Sequence, residues 1–264
     1  MRALGDPAIV AELRPRMVAA ARSGAKGHEV LRLCGRTVHL KYGPLAGGAR
    51  WRYGLRAALG TPPPRLAEYG NLLWLRANGF GAPLPLAAGV ERSGALPSFQ
   101  FLATEEVAGT LTLRAFLEEA REVARRRSVF EMLGAEVARL HAAGFVHRDL
   151  FPRNLLVGTT GDRPTLSFLD AWRGGPGRAA PLRGPTYDLA CLLLYLPLLA
   201  SEEEIALLCT CYFERRGGAR ERTLRSAARQ RRALVARLVA RGRTDPPIPP
   251  RDWNPPDRAA LGGK

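Results

Sequence analysis

A short stretch near the middle of the chain carries the residue types that phosphoryl transfer requires. Residues 147–154 read HRDLFPRN and lie between a predicted apolar helix and an apolar strand. Phosphoryl transfer needs a carboxylate that orients the accepting hydroxyl and takes its proton, and a metal ion held on the phosphates. We interpret Asp149 as the candidate base and Asn154 as the donor of an amide oxygen to the metal.

A second carboxylate is expected after the following strand. Residues 166–169 are apolar or small, and Asp170 comes directly after them. Taken alone, an apolar run that ends in Asp is commonly just a strand terminus. Because Asp170 follows the 147–154 loop, however, it stands at the place along the chain where the second metal ligand is expected.

Lys41 is the candidate phosphate-binding cation. It ends the predicted strand 37–41, TVHLK, and it is one of only three lysines in a chain whose other basic residues are arginine. Arginine therefore serves wherever any cation suffices, which favours a specific role for Lys41 over that of a solvated strand-end residue. Glu68 is the only acid on the predicted helix 65–78, so we expect it to pair with Lys41.

These features fit the sequence patterns of kinases. HRDLFPRN matches the catalytic-loop pattern H-R-D-L-x-x-x-N, and TVHLK resembles the V-A-I-K strand whose lysine holds the α- and β-phosphates. We therefore predict an α+β, bilobal protein-kinase-like fold that uses ATP and Mg²⁺. The backbone near Glu105 and Val107, in the segment that joins the lobes, is expected to bind the adenine.

The elements that position these residues follow from hydrophobic period and turn residues. Helices are predicted at 8–22, 51–59, 65–78, 112–120, 128–143 and, with interruptions, from 187 to about 243, and strands at 30–33, 37–41, 83–89, 98–105, 145–146, 155–157 and 166–169. Residues 1–107 are thus predicted to form a strand-rich N-lobe with an antiparallel sheet and one key helix. Residues 108–243 form a helical C-lobe, and 244–264 a Pro-rich tail. Residues 23–28 are either a loop that closes over phosphates or a simple turn.

Charge and cysteine content narrow the class of protein. The formal net charge is +16, which favours phosphate-bearing, nucleic-acid or anionic lipid partners, although the arginine excess is equally explained by a GC-rich genome. No nucleic-acid-binding module accompanies the charge, so specific nucleic-acid binding is not expected. Four cysteines without CxxC spacing argue against a disulfide framework or a zinc site. No signal peptide is evident, and the apolar run 189–200 is interpreted as a buried helix, so we expect a cytoplasmic protein.

The residues also resemble one kinase family. From about Leu31 to Tyr212 the chain is similar to the bacterial lipopolysaccharide core kinases, which phosphorylate Kdo or heptose sugars on a protein-kinase-like fold. The resemblance rests on the following segments: the catalytic loop, the Gly/Trp/Arg-containing segment 47–56, NGFGAP at 78–83, FLATE at 101–105, LDAWR at 169–173 and YDLA at 187–190. It implies that Asp188 braces the catalytic loop. Together with the net charge of +16, the resemblance predicts an acceptor that is an anionic saccharide or glycolipid at the inner face of the cytoplasmic membrane.

Other functions remain open at this level. The interval from Asp170 to Asp188 is short and lacks A-P-E, which disfavours a protein Ser/Thr kinase. An aminoglycoside- or choline-type phosphotransferase is the nearest alternative enzyme, and a non-catalytic nucleotide-binding scaffold is an alternative of another class. The basic segment 215–243 is either a packed helix with a solvated basic face or a surface helix that faces anionic lipid.

Overall fold

The chain divides into two compact units. The structure, a computed structural model, describes residues 1–158, 160–161, 163–177, 184–242, 249–251 and 253–255. One unit comprises Met1–Ala108 with Asp170–Arg173, and the other comprises Gly109–Leu169 with Gly174–Lys264. Most of the predicted tail, 244–264, lies outside the described residues.

The short segment Asp170–Arg173 groups with the first unit, whereas the sequence predicts that it belongs to the C-lobe, 108–243. Two contacts explain why it groups with the first unit. The Asn71 side chain donates a hydrogen bond to the Ala171 carbonyl at 2.6 Å, and Lys41 Nζ lies 2.5 Å from Asp170 Oδ1. Neither contact follows from the order of elements along the chain.

The first unit is built on an antiparallel sheet of five strands. Its strands are β1 (Arg2–Gly5), β2 (Gly27–Leu33), β3 (Arg36–Pro44), β4 (Pro85–Ser93) and β5 (Leu96–Glu105), in the spatial order β1-β4-β5-β3-β2. Alternation along β3 buries Val38 and Leu40 on one face, beneath helix α1 (Pro7–Ser23). Because side chains alternate in a strand, His39 and Lys41 lie on the opposite face. Strand β1 was not predicted, since its short, mostly exposed sequence carries little strand pattern.

Two further helices complete this unit. They are α2 (Gly47–Ala58), which packs on β5, and α3 (Pro64–Ala77), which packs on β4 and β5. Pro64 suits the first turn of α3 because the amide N–H that proline lacks has no helical partner there. Helix α3 buries Leu72, Leu75 and Glu68. The helices predicted at 51–59 and 65–78 are therefore present, the first beginning earlier than expected.

The second unit is mainly helical. Its elements are β6 (Thr110–Thr112), α4 (Leu113–Glu119), α5 (Val123–Ala142), β7 (Phe145–Val146), β8 (Leu155–Gly158), β9 (Thr165–Phe168), β10 (Gly175–Pro176), α6 (Pro185–Leu192), α7 (Glu202–Arg216) and α8 (Arg220–Ala240). The strands form a sheet β6-β8-β9 and a separate pair β7-β10. Helices α5 and α7 pack closely at Gly134, where a Cβ would lie 2.4 Å from the Leu208 carbonyl oxygen.

The apolar run 189–200 is not one helix. Helix α6 ends at Leu192, and a 3₁₀ turn follows at Leu196–Leu198, because Pro197 has no amide N–H to continue the α-helical pattern. The guanidinium group of Arg231, a residue of α8 that is only 1% exposed, donates hydrogen bonds to backbone carbonyls of this run. Its Nε bonds the Leu193 carbonyl at 3.1 Å and its Nη2 the Leu194 carbonyl at 3.2 Å. Burial lowers the pKa of Arg231 to about 10.

The basic helix α8 is a packed helix. Its apolar residues Leu224, Leu234 and Val235 are buried, so of the two alternatives for 215–243 the structure favours a packed helix with a solvated basic face. In the described part of the chain, no helix is both long enough and apolar enough to span a membrane.

Candidate active site

The loop between β7 and β8 brings Asp149 and Asn154 together. Asn154, which is 3% exposed, ends the 3₁₀ turn Pro152–Asn154. Its side-chain amide donates to the Asp149 carbonyl at 2.8 Å and reaches Asp149 Oδ2 at 3.3 Å. Its own carbonyl accepts from the Leu169 amide at 2.8 Å. The spacing in the sequence therefore corresponds to direct contact between the candidate base and one candidate metal ligand.

Asp188 holds the start of this loop from within the core of the second unit. Its fully buried carboxylate accepts hydrogen bonds from the backbone amides of His147 and Arg148, both at 2.6 Å. His141 Nε2 lies 3.2 Å from the same carboxylate, and Tyr212 OH lies 2.9 Å from His141 Nδ1. Burial raises the pKa of Tyr212 to about 12, so its hydroxyl stays protonated. Asp188 thus has the contacts of a brace, as the family resemblance implied.

The brace coincides with an unusual backbone conformation. Arg148 has φ of 62°, in the left-handed region that non-glycine residues rarely occupy. The hydrogen bonds that the His147 and Arg148 amides donate to Asp188 hold the backbone at this position, and Asp149 follows it directly. The loop geometry therefore depends on a residue distant in the sequence.

His147 has a positioning role of its own. It is fully buried, and its Nε2 lies 2.9 Å from the Leu169 carbonyl. Its ring lies 6.3 Å from that of Phe168. His147 therefore fixes Leu169, the residue between the end of β9 and Asp170.

Lys41, Glu68 and Asp170 form a network in the first unit. Lys41 Nζ lies 2.5 Å from Asp170 Oδ1 and 3.8 Å from Glu68 Oε1, so the expected Lys41–Glu68 pair is present. Arg65 Nη1 bonds Glu68 Oε2 at 2.7 Å. One lysine thus contacts both carboxylates, and Arg65 adds a second cation to the network.

The two carboxylates respond differently to this network. Glu68 is 2% exposed, and burial raises its pKa despite the attraction of Lys41 and Arg65. Burial acts in the same direction on Asp170, but the charge and hydrogen bond of Lys41, together with Arg65 and Glu68, outweigh it, so the pKa of Asp170 is lowered. Asp170 is therefore held as a carboxylate.

The conformation of Asp170 turns its side chain into the network. Its φ of 54° is left-handed, which Asp adopts more readily than most residues. The following residue, Ala171, is tied to α3 through the side chain of Asn71. The contact of Asp170 with Lys41 and the hydrogen bond between Ala171 and Asn71 together orient Asp170.

The chemistry of the Asp170 carboxylate is compatible with Mg²⁺. Mg²⁺ usually keeps several waters and is bound by one or two protein carboxylates together with substrate phosphates. Among the described residues there is no group of three or more His, Cys, Asp or Glu side chains arranged to hold a metal. The ionised Asp170 carboxylate is a hard oxygen donor of this type, and the roles of Asp170 and Asn154 as metal ligands stay predictions.

The remaining predicted residues have more ordinary surroundings. Glu105 ends β5, its amide bonds the Leu84 carbonyl at 2.8 Å, and its side chain lies 3.5 Å from Arg36. Val107 follows in the segment that leads out of the first unit. Adenine binding by Glu105 and Val107 stays a prediction.

Residues 23–28 form a turn. Gly24, with φ of 69°, is the C-cap of α1, and the Ala25 amide bonds the Ala20 carbonyl at 2.9 Å. Strand β2 begins at Gly27. Because the first amides of this segment cap a helix, the structure favours the turn over the phosphate loop.

Two histidines near Lys41 were not recognised from the sequence. His28 lies opposite Lys41 in the β2–β3 register, and its Nε2 is 3.3 Å from His39 Nδ1. Burial and the positive charge of Lys41 lower the pKa of His28. Strand alternation supplied a signal for His39, two residues before Lys41, but His28 is placed only by strand pairing.

Comparisons with known proteins define the class. The structure is similar to that of WaaP, solved in complex with acyl carrier protein, with a TM-score of 0.58 and 21% identity over 91% of this chain and 99% of that one. The fold is therefore the α+β, bilobal protein-kinase-like fold, as predicted. The model of the Lipopolysaccharide kinase (Kdo/WaaP) family matches residues 51–212, more than half of the chain. The chain belongs to this family.

A plant protein is similar to a smaller part of this chain. A "Putative cyclin-dependent kinase F-2" of Oryza sativa subsp. japonica is 32% identical over 128 residues, which is 45% of this chain. This chain spans 37% of the length of that relative.

Proposed function

We propose that this protein is an ATP-dependent kinase that transfers the γ-phosphoryl group to a sugar hydroxyl of an anionic, lipopolysaccharide-core-like acceptor of the Kdo or heptose type. Membership of the lipopolysaccharide kinase family supports the reaction class. The observation that carries the proposal is the catalytic loop, in which Asp149 contacts Asn154 while Asp188 braces the residues before it. The presence of Lys41, Asp149, Asn154 and Asp170 together argues against a non-catalytic scaffold.

The residues divide the chemistry between them. Lys41, positioned by Glu68, binds the α- and β-phosphates by charge-assisted hydrogen bonds. Asp170 and Asn154 would hold Mg²⁺, which would supply neutralisation of the charge on the phosphates. Asp149 orients the acceptor hydroxyl and takes its proton as the oxygen attacks. We place nucleotide binding in residues 1–107 and the catalytic loop in residues 108–243.

The acceptor is assigned from charge as well as from family. The net charge of +16 suits a saccharide that carries carboxylates or phosphates, and also the anionic cytoplasmic leaflet where a lipid-linked saccharide resides. We therefore propose a cytoplasmic protein that acts at the inner face of the membrane. Free neutral sugars should be poor acceptors.

One assay separates this function from its alternatives. The purified full-length chain is incubated with ATP, Mg²⁺ and, in separate reactions, a Kdo-containing glycolipid, free Kdo, a neutral sugar, an aminoglycoside, choline or casein, and products are identified by mass spectrometry. The proposal expects phosphate on the glycolipid. Aminoglycoside or choline phosphate instead indicates the small-molecule phosphotransferase, and phosphocasein the protein kinase.

A variant tests the catalytic assignment in the same assay. Asp149→Asn should lower turnover by about two orders of magnitude or more while leaving ATP affinity nearly unchanged, as is typical of the loss of a general base. Glu203→Gln, at an exposed position of α7, is the matched control. Near wild-type turnover of Asp149→Asn refutes the assignment. The solved WaaP structure contains acyl carrier protein, and co-purification with acyl carrier protein tests whether this chain forms the same assembly.

A further inference from the structure

Helix α2 carries a row of exposed apolar side chains. Trp51, Leu55 and Leu59 are 69%, 67% and 77% exposed, although each is large and apolar. They recur every four residues, and the helical bonding of α2 extends to the Leu59 amide, so they lie along one side of the helix over about 12 Å. We call these three residues the α2 stripe.

The opposite side of α2 attaches the helix to the sheet. Tyr53 is buried, Gly54 lies so close to Leu96 that a Cβ would be 2.3 Å from its side chain, and Arg50 Nη2 bonds the Ser93 carbonyl at 2.8 Å. The helix therefore has a fixed inner face. The α2 stripe therefore faces away from the sheet.

Arginines border the stripe. At 100° per residue, Arg52 and Arg56 project beside it, and both guanidinium groups lie over the Tyr53 ring, at 4.9 and 6.0 Å from its centroid. Residues 43–67 contain no Asp or Glu. An apolar row with tryptophan, edged by cations and free of acidic residues, is the composition of a helix that lies in the interface of an anionic bilayer.

Helix α8 provides a useful contrast. It is also basic and amphipathic, but its apolar side is used for packing within its own unit. Helix α2 is different because its apolar side is the exposed one. The inner side of α2 contacts the β4–β5 turn at Ser93 and Leu96, whereas the predicted adenine-binding residue Glu105 ends β5 about 30 Å from Leu96 at roughly 3.3 Å per residue.

We propose that the α2 stripe with Arg52 and Arg56 is the surface by which this protein docks on anionic lipid bilayers. Trp51, Leu55 and Leu59 insert at the level of the headgroups, and the two arginines pair with lipid phosphates. This inference rests on the membrane contact of the proposed function and assigns it to defined residues. Binding to vesicles is measured without ATP or acceptor, so its failure leaves the phosphoryl-transfer assay unaffected.

The experiment is vesicle co-sedimentation of the full-length chain. The vesicles contain about one part phosphatidylglycerol to two parts phosphatidylcholine, and pure phosphatidylcholine serves for comparison. Wild type should bind the anionic vesicles, and less so as salt rises. The pair Trp51→Ser/Leu55→Ser should weaken binding at least about tenfold. The pair Arg52→Gln/Arg56→Gln should weaken it by a similar factor and flatten the salt dependence.

The matched control lies on α8. Arg237→Gln/Val239→Ser removes one exposed cation and one apolar side chain that is 55% exposed, and should bind like wild type. Thermal melts establish that all variants are folded. A control variant that loses binding while the α2 variants keep it overturns the proposal in favour of α8.

A second readout tests insertion directly. Brominated lipids should quench part of the tryptophan fluorescence of wild type, whereas Trp51→Phe should retain binding and lose that quenching. Unchanged quenching in Trp51→Phe, or no vesicle binding by wild type, overturns the proposal. Two other results also overturn the proposal. One is a dimer in solution that the stripe variants dissociate, because the α2 stripe then binds a second copy of the chain. The other is a complex with an acidic protein, in place of lipid, that depends on the α2 stripe.

Discussion

Replacement of Asp188 by Asn probes the brace of the catalytic loop without changing its shape. The carboxylate accepts two backbone hydrogen bonds at 2.6 Å, from His147 and Arg148, and lies 3.2 Å from His141 Nε2. An Asn side chain has one oxygen and one NH₂ group in the same positions. One of the two amides of the loop would therefore face a donor in place of an acceptor.

The expected magnitude follows from those contacts. A hydrogen bond to a charged group contributes about 1.5–3 kcal/mol, and a buried group left without a partner costs a similar amount. Loss of one amide bond and weakening of the others should lower the free energy of unfolding by about 2–4 kcal/mol. At about 2–4 °C per kcal/mol for a chain of this size, the Tm should fall by roughly 10 °C.

The effect on turnover should be larger than the effect on nucleotide binding. Without the brace, Arg148 can leave its left-handed conformation, which costs a non-glycine residue about 1–2 kcal/mol. Asp149 then shifts, and a displacement of about 1 Å is enough to lower a rate by about 100-fold. We therefore expect kcat of Asp188→Asn to fall by about that factor, with a nearly unchanged KM for ATP.

ADP release and thermal melts on the same preparations provide the assay. Asp149→Asn should lose turnover without a comparable loss of Tm, which separates chemistry from bracing. Tyr212→Phe removes the hydroxyl that contacts His141 and should give a milder form of the Asp188 defect. Wild-type kcat and Tm for Asp188→Asn would refute the reasoning.

Three further sets of variants test the roles of Lys41, Glu68 and Arg231. Lys41→Ala should raise KM for ATP or slow transfer at least about tenfold, and Glu68→Ala should have the same effect less strongly. ADP-release kinetics measure both variants. Equal rates for wild type, Lys41→Ala and Glu68→Ala contradict the phosphate-binding role of Lys41. Since burial raises the pKa of Glu68 above its ordinary value of 4.5, ionisation of Glu68 disfavours the folded state. The Tm of wild type should therefore fall relative to that of Glu68→Gln as pH rises from about 4.5 through the raised pKa. A Tm difference between the two proteins that does not change with pH contradicts this prediction. Arg231→Met leaves four carbonyl acceptors without their donor and should cost about 2–4 kcal/mol in denaturant melts, whereas Arg229→Met, exposed on the same helix, should cost almost nothing.

The sequence by itself determined the features that depend on short-range order. The spacing within HRDLFPRN places Asp149 and Asn154 in one turn, and the structure has them in contact. The pairing of Lys41 with Glu68 was also predictable, because a rare lysine ends a strand and a single acid lies on the following helix. Strand and helix periods are local properties, so most elements lay where the pattern indicated.

Tertiary structure decided what depends on distant segments. The brace around Asp188 was expected from family resemblance, but its hydrogen bonds to His147 and Arg148 exist only because α6 packs behind the loop. The assignment of Asp170–Arg173 to the first unit, and the position of His28 beside His39, likewise come from long-range contacts.

The two basic amphipathic helices illustrate the same limit. Helices α2 and α8 both combine arginines with spaced apolar residues, and only the C-terminal segment is recognisable from the sequence as a lipid-facing candidate. The structure covers the apolar side of α8 and exposes that of α2. Hydrophobic period specifies that a helix has an apolar side, but which side becomes buried depends on the partners that the rest of the chain brings to it.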